Sequence, residues 1–187
     1  LINECKKISN FKIDIRASST QIIKGEIQKI NIIAEDINYK DLLFDKVDLE
    51  ANNLKLNLKL ITRELYFKND PIIKFRISLS QSSLKTILLS KNWDFIGDMI
   101  SKEMLNQDKL EDIKIKNGQF LIKASKEKNT INNRGKVEIK TDKGKIFLKN
   151  RTNNKTIKIP IEEKIYVEKV NIENNLINIF GSSSISF

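Results

Sequence analysis

The sequence predicts an α+β fold, predominantly β, in which antiparallel strands enclose one long helix. Apolar and polar residues alternate with a period of two through most of the chain, the pattern of strands with one dry and one wet face. Strict alternation points to antiparallel sheet, because parallel strands covered on both faces read as continuous apolar runs. Only Ser82 to Leu105 carries a long helical period, and its apolar residues cover too much of it. At about 100° per residue, Leu84, Leu88, Phe95 and Met99 fall on one line. Leu89, Trp93, Ile96, Ile100 and Met104 fall on a second, about a third of a turn away. The polar face, Lys91, Asp94, Asp98, Ser101 and Lys102, is narrow. A helix lying on one small sheet needs a single stripe, so two stripes predict a helix wrapped by sheet or bordering a cavity. The plainer reading is an ordinary core helix kinked near Ser90 to Asn92, with Asn92 capping the second segment.

The strands follow in order. Leu1 to Asn10 reads as the tail of a helix or a frayed lead-in. From Phe11 the period becomes two, with Phe11, Ile13, Ile15 and Ala17 on one side. Ile30, Ile32 and Ala34 repeat it, as do Val47, Leu49 and Ala51, then Leu54 to Leu60 and Ile73 to Leu79. Between Ala51 and Leu54 the apolar phase switches across Asn52 and Asn53, which predicts a turn or a bulge. After the helix come Ile113 and Ile115, then Phe120, Ile122 and Ala124, joined by Asn117-Gly118, a strong hairpin signal. Lys126 to Arg134 reads as a polar loop. Val137 and Ile139, a turn at Asp142 to Gly144, and Ile146 and Leu148 form the next pair. Asn150 to Lys155 is polar, and Ile157, Ile159 and Ile161 follow with Pro160 at a strand end or edge. Ile165 and Val167, Val170 and Ile172, and Leu176 to Phe180 complete the β-pattern, and Ser182 to Ser184 reads as a tail. No linker divides the chain, so residues 1–187 are expected to form one domain, with the weakest seam near Asn106 to Asp108.

Composition removes several function classes. There is no histidine, which excludes Ser-His-Asp and Cys-His catalysis and His-ligated metals. The single cysteine, Cys5, can form neither an internal disulfide nor a structural zinc site. Phosphate-binding loops, G-x-S-x-G and metal-ligand spacings are absent. The acidic pairs Glu35-Asp36, Glu111-Asp112 and Glu162-Glu163 put neighbouring carboxylates on opposite faces of a strand, where they cannot share a substrate. No catalytic residues, metal site or cofactor are therefore expected. The net charge is +10, but almost all of the excess is Lys. The five Arg, at 16, 63, 76, 134 and 151, are scattered, and Phe11, Phe75 and Phe120 keep phase with the aliphatic side of their strands. Specific nucleic-acid recognition needs positioned Arg and wet-side aromatics, so it is not expected. A generally basic surface would still favour an anionic membrane surface, since each nearby cation contributes roughly 1 kcal/mol. No apolar run approaches the ~20 residues of a membrane-spanning helix.

The order of features resembles a known family. Ile22 to Ala34 with its Gly25, then Tyr39-Lys-Asp-Leu-Leu43, then Val47 to Leu54, is similar to the opening of the LmeA-like bacterial phospholipid-binding domain family. Asp70-Pro71 entering the strand Ile73 to Leu79, and Leu79 to Leu84 opening the helix, continue the likeness. It covers about Phe11 to Ala124, and departs from the family at the front, where the expected first helix is missing or cut short. The resemblance implies a curved antiparallel sheet wrapped around a helix in a clam-like or tubular architecture. It also implies an apolar cavity for acyl chains and no catalytic residues.

Together these readings make non-catalytic binding of a phospholipid or other acyl-chain lipid the first expectation. The helix residues expected to line the cavity are Leu84, Leu88, Trp93, Phe95, Ile96, Met99 and Ile100, since Met and aromatic side chains adapt to irregular apolar ligands. Leu56, Leu58, Phe75 and Ile77 are the sheet candidates, and Arg63, Arg76 and Lys85 the headgroup candidates. The competing expectation is a β-rich structural or protein-interaction domain with a filled core. A membrane-associated or periplasmic location is expected; the chain opens on Leu1 rather than Met, which leaves a cytoplasmic one open.

Overall fold

The computed structural model describes residues 5–59, 64–126 and 129–185, without the side chains of 58–59, 64–65 and 129–132. The elements run β1 (Cys5–Arg16), α1 (Ser19–Ile23), β2 (Glu26–Tyr39), β3 (Leu42–Lys59), β4 (Glu64–Phe67), β5 (Ile72–Ser80), α2 (Gln81–Leu89) and α3 (Asp94–Leu105). They continue as β6 (Lys109–Lys116), β7 (Gln119–Lys126), β8 (Asn129–Asp142), β9 (Lys145–Asn150), β10 (Thr156–Lys158), β11 (Ile165–Glu173) and β12 (Leu176–Ser184). All strand pairs are antiparallel, as the alternation requires. They form two sheets rather than one. The first has seven strands in the order β1-β2-β3-β5-β12-β11, with β4 added to the far end of β3. The second has five, in the order β10-β9-β8-β7-β6.

The long helix expected over 82–105 is two helices. Ser80 caps α2 by accepting from the Ser83 amide at 3.2 Å. At the other end the Ser90 amide and hydroxyl both donate to the Ile87 carbonyl, and Ser90 turns extended. Asn92 does not cap α3: the N-cap position is Trp93, which makes no side-chain cap bond. Asn92 instead donates to Asp41 at 2.6 Å, and the Trp93 indole N–H donates to the Lys40 carbonyl at 2.9 Å, so the break is pinned to the β2–β3 turn. Four non-helical residues shift the phase of the wheel, so Ser101, placed on the polar face by an uninterrupted helix, is fully buried. Its hydroxyl is satisfied by the Gly97 carbonyl at 3.1 Å. Gly97 is where the helices touch: a Cβ there would lie 2.6 Å from the Leu88 carbonyl oxygen. Asn106 ends α3 in the left-handed region at φ 54°, and the Met104 carbonyl accepts from both Asn150 and Asn153.

Four further expectations are corrected. The lead-in from Cys5 is strand, paired with β2 through three register shifts that absorb its irregular polarity. The expected loop at Lys126 to Arg134 includes the start of β8 at Asn129, and Ser182 to Ser184 is no tail but the end of β12, paired with Lys74, Ile73 and Ile72. Serine has no strand signature, so the partner strand, not local sequence, holds it there. The phase switch at Asn52 and Asn53 is neither a turn nor a register-shifting bulge: β3 runs through it in unbroken register with β2, with Asn53 at φ 54°.

The core lies between α2, α3 and the inner face of the five-stranded sheet, and Leu79 and Ile177 carry it onto the seven-stranded sheet. The sheets also meet at one edge. The Val167 amide of β11 donates to the Gly144 carbonyl in the β8–β9 turn at 2.9 Å, and Tyr166 packs over Gly144, whose φ of 75° suits glycine.

Candidate functional site

Three layers converge on one apolar space. The inward residues of β6 to β9, Ile113, Phe120, Ile122, Val137, Ile139, Ile146 and Leu148, form its floor. Leu84, Ile87 and Leu88 from α2 and Ile96 and Ile100 from α3 form one wall. Leu42, Phe44, Leu79, Ile177 and Ile179 from the seven-stranded sheet form another, and Ile159 closes the edge. The cavity measures about 190 Å³ and every side chain on it is apolar. Such a wall offers no hydrogen bond, so the space suits alkyl groups and excludes anything that must keep a polar contact.

The seven-stranded sheet carries this apolar surface outward. Its register places Ile179, Ile77, Val47 and Ala34 in one row. The next row is Gly181, Phe75, Leu49, Ile32 and Ile13, and the one after is Ser183, Ile73, Ala51, Ile30 and Ile15. Residues directly opposite in a ladder share a face, so these rows continue the Leu79–Ile177 row that forms the cavity wall. Beyond the helices the face is only partly covered among the described residues: Ile13 is 52% exposed and Ile15 56%. From Leu79 back to Ile73 the strip runs about 20 Å at the rise of an antiparallel strand.

Of the helix candidates, Leu84, Leu88, Ile96 and Ile100 lie on the cavity wall. Trp93 and Met99 pack against the core outside it, and Phe95 is 55% exposed, its ring centroid 6.1 Å from that of Trp93. The break between the helices is the cause, because it rotates Phe95 away from the line it shares with Leu84 and Leu88 on a continuous wheel. Among the sheet candidates, Ile77 packs against the core and Phe75 lies in the open rows, its ring over Gly181. Leu56 pairs with Phe67 and receives Gly25 close against its backbone, far along β3 from the cavity. The Leu58 side chain and Arg63 lie outside the described residues.

The headgroup candidates are placed apart. Arg76 is on the opposite face of its sheet, its guanidinium 5.3 Å from the centre of the Phe180 ring. Lys85 pairs with Asp112 at 2.6 Å, tying α2 to β6, and its hydrogen bond holds the Asp112 carboxyl below its ordinary value despite the opposing effect of desolvation. Sequence reasoning missed most of the floor. The alternation identified Ile113, Phe120, Ile122, Val137, Ile146 and Leu148 as inward residues of strands, but carried no sign that those strands form a second sheet beneath the helices.

Among the described residues no group of three or more His, Cys, Asp or Glu is placed to hold a metal ion, and no helix is long and apolar enough to cross a membrane. Comparison with known protein families, with curated proteins and with solved structures finds no match for this chain.

Proposed function

We propose that the protein is a non-catalytic binder of a phospholipid or other acyl-chain lipid, in line with the resemblance to the LmeA-like family. The wholly apolar cavity between helices and sheets carries this reading. A cavity of about 150 Å³ holds one benzene, so 190 Å³ accepts a short alkyl segment and not a whole lipid. The remainder of a chain has the partly covered strip to lie on. One leaflet's chains span half of the ~30 Å hydrocarbon core, about 15 Å, which the strip's length of about 20 Å accommodates. The two sheets, joined along β11 and parted elsewhere by α2 and α3, make the clam-like reading of the architecture the natural one, with β11 as its hinge side. Lipid transfer or maintenance of membrane lipid composition is the role such a binder would serve.

The small cavity also supports a second reading, a β-rich structural or interaction domain, because ligand pockets typically run from about 300 to 1,000 Å³. Native mass spectrometry after incubation with phospholipid micelles separates the two. Lipid adducts on the wild type, reduced at least about tenfold in Ile100→Phe at an unchanged fold, are expected for a ligand cavity. A clean apoprotein mass at every lipid concentration supports the filled core.

A further inference from the structure

We propose that the outer face of the five-stranded sheet docks the protein on an anionic lipid bilayer, with phosphate headgroups lying in a basic groove across β6, β7 and β8. The inference goes beyond the acyl-chain reading and stands whether or not the cavity holds a ligand.

The groove encloses about 870 Å³ and is lined by Lys114, Lys116, Lys123, Arg134 and Lys136 against a single carboxylate, Asp112. Asp112 is already engaged by Lys85 from the helix side, 2.6 Å away. Lys123 has Glu111 at 2.8 Å, and Lys114 reaches only the far oxygen of Asp112, at 3.8 Å. Lys116, Arg134 and Lys136 have no carboxylate within ion-pair distance among the described residues. The register sets Lys123 directly opposite Arg134, and Lys114 and Lys136 on either side of Leu121. Like charges placed opposite each other destabilise a sheet, so the isolated protein bears a repulsion that a bound polyanion would relieve.

The outer face of the other sheet shows that this is a local feature and not simply a basic composition. There the register sets Arg76 opposite Asp48 and Lys74 opposite Glu50, and the same two carboxylates reach Lys46 at 3.5 Å and Lys29 at 2.5 Å. Each of these four cations has a carboxylate beside or opposite it, whereas three cations of the groove have none among the described residues. The chemistry of the groove selects the bilayer. Four of its five cations are lysines, strongly hydrated point charges that suit mobile headgroups rather than fixed bidentate partners. No aromatic side chain lines it, so it offers no platform on which nucleic-acid bases could stack.

The test is sedimentation with phosphatidylcholine vesicles, with and without about one third phosphatidylglycerol, at low and physiological salt. The wild type should bind the anionic vesicles, weaken as salt rises, and ignore the neutral ones. Each cation near the surface contributes about fivefold, so the triple variant Lys116→Gln, Arg134→Gln, Lys136→Gln should lose about 100-fold. Lys74→Gln with Arg76→Gln, on the other sheet, should change binding by less than about twofold. Should circular dichroism show the triple variant unfolded, Lys136→Gln alone carries the test, with a loss of about fivefold. Wild-type affinity in a folded groove variant overturns the proposal, as does a single-stranded oligonucleotide that binds at physiological salt and displaces the vesicles. Lipid adducts in micelles are read separately and should survive the groove substitutions.

Discussion

On the five-stranded sheet the apolar face is dry. Phe120, Ile122, Ala124, Val137 and Leu148 are all at or below 5% exposed, under two helices. On the seven-stranded sheet the same alternation begins dry, with Ile177 at 2%, and ends wet, with Ile15 at 56%. Nothing in the local pattern separates the two. Phe11-Lys-Ile-Asp-Ile15 alternates as cleanly as Phe120-Leu-Ile-Lys-Ala124. Alternation states that one face of a strand is apolar; what covers that face is decided by helices elsewhere in the chain. A face left over after the helices are used is available to a ligand, which is why the contrast bears on function.

The largest expected effect sets the two sheets against each other. Phe120→Ala removes a ring from the covered face and should cost about 3–5 kcal/mol, while Phe75→Ala, in the open rows, should cost no more than about half of that. Urea unfolding of the two variants reads the difference directly. Equal losses would mean that both faces are covered alike.

A smaller effect concerns the tie between α2 and the covered sheet. Lys85 holds the folded-state pKa of Asp112 below its ordinary 3.8, so the pair contributes stability above that value and loses it as pH falls through the folded pKa. Asp112→Asn should therefore lower stability at neutral pH by no more than about 1 kcal/mol, as befits a partly exposed pair. The deficit should close under acid, once the pH has fallen below the folded pKa of Asp112. A deficit that persists there would assign the effect to packing and not to charge.

The smallest effect on stability is expected where exposure is greatest. Ile13→Ser with Ile15→Ser should move the unfolding free energy by no more than about 0.5 kcal/mol per site. The same pair should lower the fluorescence of a dye that lights up on apolar surface. A large loss of stability instead would show that the strip is covered in solution.

Much of the fold was legible in the sequence because it is written in short-range code. Asn117-Gly118 formed its turn with both residues at positive φ, at 51° and 69°. The break at Ser90 to Trp93 was signalled by its serine and asparagine. What held it in place was not, since Lys40 and Asp41 lie some fifty residues earlier. The split into two sheets was equally hidden, because strand partners are set by long-range pairing and not by any strand's own residues. Of the site, the helix wall could be read in part, whereas the basic groove could not. Lys114, Lys123, Arg134 and Lys136 become neighbours only through the register of β6, β7 and β8.

The place of β12 has a consequence for the chain as it is made. This strand lies between β5 and β11 and pairs with β5 along its whole length, from Leu176 opposite Ser80 to Ser184 opposite Ile72. The ribosome therefore delivers β5, with Phe75, Ile77 and Leu79 already in position, roughly 5–20 s before the strand that completes its edge, at about 5–20 residues per second. Throughout that interval β5 offers an unsatisfied row of amides and carbonyls beside an apolar face, the combination most prone to pairing with another chain. Folding yield should thus depend on how quickly the nascent chain is shielded, and slowing translation beyond Ser80 should lower it.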